Sequence, residues 1–158
     1  MEVTDSNVVV FTLNDRRLAL PLTSVLRIVR IAAIDPLPGA PSVVAGVVNV
    51  RGEVMPVLNL RERFGMATRE VELSDHLVLV RRQNSHIALW VDSVSGVSEL
   101  GEQSRVAAET IFPGLRYLRS VAKDQDGLVL IQDLDAFLSA EELVELEAAL
   151  EQSTTGTR

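Results

Sequence analysis

The sequence has no cysteine, one lysine and two histidines among its 158 residues. Without cysteine, the chain has no disulfide framework and no thiolate chemistry. His76 and His86 lie ten positions apart, and neither has a Cys, Glu or second His at the spacing of a metal ligand. The chain also lacks a Gly-x-Ser-x-Gly nucleophile elbow and a glycine loop ending in Gly-Lys-Ser/Thr. We therefore expect a protein without catalysis, metal or cofactor.

Aromatic residues make up 4% of the chain, and the formal net charge is −7. Nucleic-acid-binding proteins usually present a basic face, and single-strand binders also expose aromatic rings. These features oppose one alternative, a small β-barrel that binds an oligonucleotide or oligosaccharide. The apolar runs, such as residues 43–48, are too short to span a bilayer. Because the first residues are acidic and unlike a signal peptide, we expect a cytoplasmic protein.

Residues 46–61, with the sequence GVVNVRGEVMPVLNLR, form the most informative segment. Two β-branched runs flank Arg51-Gly52-Glu53, which predicts a tight β-hairpin. Gly52 can adopt the positive φ that such a turn requires. Asn59 can cap a short helical turn over Leu60–Phe64, which ends at Gly65.

Two polar residues at the tip of this hairpin allow two interpretations. We expect Asn49 and Arg51 to point toward solvent beside apolar neighbours, without a structural role. Apolar surface next to a fixed guanidinium is typical of a site where another protein docks. An ordinary exposed arginine on an ordinary hairpin is the alternative, because most exposed charges do nothing specific.

The sequence also repeats itself. Apolar residues coincide when the chain is shifted by 69 positions, and further matches occur at a slightly larger shift. The matched segments are 8–11 with 77–80, 19–25 with 88–94, Leu37–Gly39 with Phe112–Gly114, Arg51-Gly52 with Asp126-Gly127, and Asn59-Leu60 with Asp133-Leu134. The order predicts two tandem β-modules, 8–66 and 75–138. Because such small modules bury little core alone, we expect them to share an interface.

The end of the chain carries a helix signal. Ser139 and Glu142 have the spacing of a capping box, and Leu143, Leu146 and Leu150 come after it at helical intervals. We predict a helix over 139–152 that covers part of the β structure, and a frayed polar tail over 153–158.

The segment from Val44 to Phe64 resembles the signature of the CheW-like coupling proteins of bacterial chemotaxis. The matching residues are Gly46, Asn49, Arg51, Gly52, Pro56, Leu60 and Arg61. The likeness extends from Val8 to about Leu138 and includes residues 91–97 and 126–134. It implies one domain over 1–158 with an all-β fold. In that fold, two tandem SH3-like five-stranded barrels surround a shared hydrophobic core, with short helical turns and a C-terminal helix.

The resemblance implies a non-catalytic adaptor that couples the cytoplasmic tip of a chemoreceptor to a CheA-type histidine kinase. Such adaptors assemble into rings and arrays at membrane receptors. The implied kinase contacts lie near 94–97, and the binding residues carried over or adjoining them are Val25, Arg27, Ile28, Asn49, Arg51, Gly52 and Glu53. The runner-up is a related protein serving a non-motility chemosensory pathway, such as surface sensing, pilus control or development.

Arg27 departs from the family pattern, since many members have a glutamate there that pairs with the hairpin arginine. Two arginines that close repel each other, so we expect Glu53 to be the substitute partner of Arg51. We also expect the change to alter the choice of receptor.

Overall fold

The computed structural model describes residues 7–100, 105–107 and 117–155, without the side chains of 107 and 153–155. Within these residues, eleven strands and two α-helices form the fold. The strands are β1 (Asn7–Leu13), β2 (Arg16–Pro21), β3 (Val25–Arg30), β4 (Val44–Val50), β5 (Glu53–Asn59), β6 (His76–Arg82), β7 (Ser85–Val91), β8 (Ser93–Glu99), β9 (Arg105–Ala107), β10 (Leu118–Asp124) and β11 (Gly127–Gln132). The helices are α1 (Leu60–Phe64) and α2 (Ala140–Thr155), and single 3-10 turns cover Leu22–Ser24 and Leu134–Phe137.

The strands form two sheets, which confirms the predicted mainly β fold. One sheet has six strands in the order β8-β1-β2-β11-β10-β9, and the other has five in the order β3-β6-β7-β5-β4. The six-stranded sheet exceeds the predicted five because the short β9 pairs with β10 at its edge. Closure of each sheet into a barrel stays a prediction.

The sheets do not follow the predicted division into modules 8–66 and 75–138. The hairpin β1–β2 of the first half pairs with β8 and β11 of the second half. In return, the hairpin β6–β7 of the second half pairs with β3 and β5 of the first. The first hairpin of each half therefore lies in the sheet whose other strands come from the opposite half. Neither half contains a whole sheet.

The predicted repeat is present in the registers of these strands. Val8 pairs with Pro21 in β1–β2, and the residues 69 positions later, Leu77 and Trp90, pair in β6–β7. In the later hairpins the offset is 74, since Val50 pairs with Glu53 and Asp124 with Gly127. Arg51-Gly52 thus corresponds to residues 125–126, one position before the predicted match. The predicted match of Leu37–Gly39 with Phe112–Gly114 lies outside the described residues.

The core has three parts. One cluster lies against the six-stranded sheet and includes Val10 and Ile131, and another lies against the five-stranded sheet and includes Met55 and Trp90. The largest cluster, around Phe11, draws residues from both sheets and from α2. Because the central strands β1, β2, β6 and β7 bury both faces, they have unbroken apolar runs instead of the alternation of a half-exposed strand.

The C-terminal helix covers the shared core, as the leucine spacing predicts. Leu146 and Ala149 are buried in the core, and the predicted capping box is formed. The Ser139 amide donates to Glu142 Oε1 at 2.9 Å, and the Glu142 amide donates to Ser139 Oγ at 3.1 Å. The helix extends to Thr155, beyond the predicted end at 152, because the sequence has no helix-breaking residue before Gly156.

Among the described residues, no helix is long and apolar enough to cross a membrane.

Candidate docking cleft

The hairpin β4–β5 turns through Arg51 and Gly52 alone, with Glu53 already in the strand. Arg51 has φ 55° and Gly52 has φ 88°, so both turn residues are left-handed. This is the geometry of a two-residue type I′ turn, whose twist matches that of the flanking strands. A non-glycine residue in this conformation costs about 1–2 kcal/mol. The structure thus holds an arginine where Asn or Gly would be less strained.

Asn49 has a structural role that the sequence interpretation denied it. Its side-chain Oδ1 accepts a hydrogen bond of 2.9 Å from the Gly52 amide. This contact closes the turn from one side and fixes the backbone that carries Arg51. Asn49 is therefore a turn residue first, and its exposed side chain is already engaged.

An open cleft of about 270 Å³ lies beside this turn. Residues of β3, β5, β6 and β7 line it together with the tip of the β4–β5 hairpin, so the curvature of the five-stranded sheet brings the sequence-distant β3 to the turn. The lining residues are Leu26, Arg27, Val50, Arg51, Glu53, Met55, Leu79 and His86. The structure thus brings together Arg27, Arg51 and Glu53 in one cleft, as the sequence interpretation requires.

The charges in this cleft are paired differently from the prediction. Glu53 Oε2 lies 2.7 Å from Nδ1 of His86, so the carboxylate is engaged by the histidine. In the described part of the chain, neither Arg27 nor Arg51 has an ion pair or a side-chain hydrogen bond, and Glu53 does not pair with Arg51. The prediction that Glu53 replaces the missing glutamate is therefore wrong, because its carboxylate contacts His86 on the neighbouring strand β7.

Val25 and Ile28 lie on β3 outside this cleft. Val25 is half-buried and packs against the shared core, and Ile28 keeps 40% of its surface exposed. Leu26, beside Arg27, is 42% exposed. β3 is an edge strand of its sheet, so its outer side has no strand neighbour in the sheet order. It offers apolar contact area next to the cleft.

A polar network centred on Asp75 was not predicted from the sequence. Arg69 makes two hydrogen bonds to Asp75, at 2.7 and 2.9 Å, and a third to Asp92 at 2.8 Å. Trp90 Nε1 also donates to Asp75, at 2.9 Å. Burial raises the pKa of Asp75, but the bonds from Arg69, the Glu72 amide and Trp90 outweigh it and hold the pKa at about 2.

Arg61 extends the same network into the core. Its side chain is fully buried, pairs with Asp92, and lies 5.2 Å from the centre of the Trp90 ring. Its Nε donates to Asn14 Oδ1 at 2.8 Å. No spacing in the sequence marks Arg61 as buried, because its partners Asn14 and Asp92 lie 47 and 31 positions away. Arg61 is accordingly a structural residue of the matched signature.

A second cleft of about 400 Å³ occupies the equivalent place on the six-stranded sheet. Arg17, which corresponds to His86 in the repeat, makes two hydrogen bonds to Asp124, at 2.9 and 2.7 Å. These bonds hold the pKa of Asp124 at about 2. Residues 95–97 of the predicted kinase side at 94–97 line this cleft, together with residues 98–100 and Asp126. The two related clefts therefore differ in charge, since acids outnumber arginines around the second and arginines outnumber acids around the first.

Within the described residues, no group of three or more His, Cys, Asp or Glu side chains could hold a metal ion. The open cleft, with Arg51 at its edge and β3 beside it, has the features of a protein-docking surface.

Known proteins share both the sequence pattern and the fold of this chain. A family model described as the CheW-like domain matches residues 7–142. The chain belongs to the CheW-like domain family. The chemotaxis protein CheW of Treponema pallidum is 24% identical over 144 residues, covering 87% of this chain and 85% of that protein. The CheW of Helicobacter pylori is 30% identical over 131 residues, covering 81% of this chain and 78% of that protein.

A solved CheW structure has the same fold. The scaffolding protein TtCheW from Thermoanaerobacter tengcongensis superimposes with a TM-score of 0.79 at 24% identity, covering 87% of this chain and 95% of that one. The CheW-like match includes both the hairpin with Arg51 and the strand with Arg27. The cleft beside the turn is therefore part of the CheW-like domain itself.

Proposed function

We propose that this protein is a non-catalytic adaptor that couples a chemoreceptor tip to a CheA-type histidine kinase in the cytoplasm. Membership of the CheW-like family supports the adaptor role. The observation that carries the docking site is Arg51, held in a strained left-handed conformation at the tip of a tight turn. Asn14, Asp15 and Gln83 adopt the same conformation in other turns, so the second support is the cleft, where Arg51 and Arg27 have no acidic partner among the described residues.

The receptor contacts in this proposal combine the cleft and the neighbouring edge strand. Arg51 and Arg27 supply charge, and the exposed parts of Leu26 and Ile28 supply apolar area. Gly52 and Asn49 form the turn, and Val25 packs β3 against the core. Glu53 lines the cleft and contacts His86. The second cleft, near 95–100, is the proposed kinase side, so that one molecule joins two partners and extends an array.

Replacement of Arg51 by alanine tests this role. Arg51 and Ala are both L-residues with similar cost in the left-handed conformation, so stability should change by no more than about 0.5 kcal/mol. An interface anchor, in contrast, contributes about 2 kcal/mol or more to binding. We expect Arg51→Ala to lose at least about tenfold in affinity for the receptor-tip fragment or for the regulatory domain of the host kinase.

Biolayer interferometry with both fragments measures the affinities, and urea unfolding measures the stability. Arg119→Ala is the matched control, because Arg119 is an exposed arginine on β10 of the other sheet and lines neither of the two clefts. Normal binding by Arg51→Ala, or loss of binding by Arg119→Ala to the same extent, contradicts the assigned role. Failure of every host receptor and kinase fragment to bind the wild type contradicts the adaptor function itself.

A further inference from the structure

The cleft beside the β4–β5 turn contains a single carboxylate among its lining residues, that of Glu53. This carboxylate is two residues from Arg51 in the sequence and lines the same cleft, and it pairs with His86 at 2.7 Å. His86 can donate from Nδ1 either as the imidazolium or as the neutral tautomer with the proton on that nitrogen. The histidine thus holds the one carboxylate of the cleft in a contact that involves neither arginine.

The consequence is an excess of unpaired positive charge. Arg27 and Arg51 line the same cleft, and within the described residues neither guanidinium has an acidic partner. Guanidinium groups that repel one another and keep their donors unused favour binding of carboxylates, often through two parallel hydrogen bonds.

The remaining lining residues of the cleft are apolar. Leu26, Val50, Met55 and Leu79 come from four strands and surround the charged groups. Such a surface suits a carboxylate side chain that is followed closely by an aliphatic one, since the acid meets the arginines and the aliphatic group covers the apolar area.

We propose that this cleft selects an acidic segment of its protein partner, and that His86 is the positioning residue that makes it selective by holding Glu53 away from Arg27 and Arg51. The identity of the partner as a receptor tip rests on the proposed function. The charge preference rests on the contacts of the cleft alone.

Two synthetic 15-residue peptides test the preference. One carries two glutamates flanking a leucine, and the other has glutamines in their place. NMR titration of the ¹⁵N-labelled protein gives each Kd and the place of binding. We expect the acidic peptide to shift the amides of Arg27 and Arg51 and to bind about fivefold or more tightly than the amide peptide at low salt. The difference should shrink as salt is added, because exposed charges are screened.

Variants test the two arginines and the histidine separately. Arg27→Gln and Arg51→Gln should each weaken binding of the acidic peptide about fivefold, and Arg27→Glu should weaken it further. Arg30→Gln is the control and should bind like the wild type. His86→Gln should weaken binding because Glu53 is released toward the arginines, and the double variant His86→Gln/Glu53→Gln should restore it.

Restoration by the second substitution separates a positioning role from direct contact or damage to the fold. If both peptides bind equally, or if neither shifts the cleft, the acid preference is wrong. If the double variant stays as weak as His86→Gln, the role of His86 is wrong. Receptor-tip fragments that bind through Arg51 without peptide discrimination would overturn this inference and leave the adaptor function standing. Peptide discrimination without any receptor or kinase binding would do the reverse.

Discussion

Replacement of Asp75 by asparagine should reveal how strongly the buried polar network stabilises the fold. Asp75 accepts two hydrogen bonds from Arg69, one from Trp90 and one from the Glu72 amide, and its side chain is 1% exposed. Asparagine has nearly the size of aspartate but no charge. Its side-chain NH₂ group would face the same donors that now bond to the Asp75 carboxylate. The Arg69 guanidinium would then lose its bidentate partner.

The expected magnitude is set by the pKa of Asp75, which falls from 3.8 to about 2 on folding. At 1.36 kcal/mol per unit, this shift corresponds to about 2–3 kcal/mol at neutral pH. Breaking a buried charge pair from one side costs about 3–5 kcal/mol in other proteins. We therefore expect Asp75→Asn to lose about 2–4 kcal/mol of unfolding free energy, and the Tm to fall by about 5–15 °C.

Urea unfolding at a series of pH values measures this contribution. The folded-state pKa lies below the unfolded one, so the stabilisation by Asp75 is complete above about pH 5 and is lost as the pH falls through 3.8 toward 2. The wild type should lose stability over this range, and the loss should be smaller in Asp75→Asn because one titrating group is gone.

Glu72→Gln is the matched control. Glu72 is 62% exposed and its carboxylate lies 4.0 Å from Arg69, so the change should cost less than about 0.5 kcal/mol. If Asp75→Asn unfolds at the same urea concentration as Glu72→Gln, or keeps the full acid sensitivity of the wild type, the network does not stabilise the fold as argued.

Two further predictions concern the backbone and the C-terminal helix. In Gly46→Ala, the new Cβ would lie 2.2 Å from the Asp35 carbonyl oxygen at φ +151°, so we expect a loss of more than about 3 kcal/mol in urea unfolding. Gly65→Ala, with φ +72° and open space around it, is the control and should cost only about 1 kcal/mol. Glu142→Gln should cost about 1–3 kcal/mol at pH 7, because hydrogen bonds from Arg63 hold the pKa of Glu142 at about 2. The acid-induced loss of stability between about pH 5 and 2 should be reduced in this variant, and an unchanged pH profile would contradict the role of that ion pair.

Local signals in the sequence predicted local structure well. The hairpin with Gly52, the cap at Asn59 and the capping box at Ser139 all form, because each depends on neighbouring backbone groups. The Asn59 side chain accepts from the Arg61 and Glu62 amides, and the helix that it caps ends at the left-handed Gly65. The repeat offset of 69 also reappears in the strand registers.

The exchange of hairpins between the halves could not be predicted from the repeat. Since β1–β2 and β6–β7 are equivalent in pattern and register, either hairpin fits the edge strands of either half. The sequence pattern is the same whether a hairpin pairs within its own half or with the other. Only the connections across Leu22–Ser24 and Asp92, where the chain leaves one sheet for the other, distinguish the two arrangements.

The contacts of the cleft escaped prediction for a different reason. Glu53 and His86 are 33 positions apart, and their pairing depends on the parallel neighbours β5 and β7. Arg61 and Asp92 meet in the same way across the loop after α1. When long-range strand pairing brings two side chains together, their spacing in the sequence follows no regular pattern. Such a contact therefore cannot be predicted from the sequence alone.

The exchanged hairpins also impose an order on folding during synthesis. The five-stranded sheet lies within residues 25–91, so all its strands have left the ribosome while the second half is still being made. β1 and β2 are synthesised first, yet their partner β11 comes last, at residues 127–132. One face of this hairpin, with Val8, Val10 and Ala19, packs on residues between 100 and 131, so that face stays uncovered until the second half is made. The six-stranded sheet therefore cannot be completed until β11 has been made, long after the strands of the five-stranded sheet.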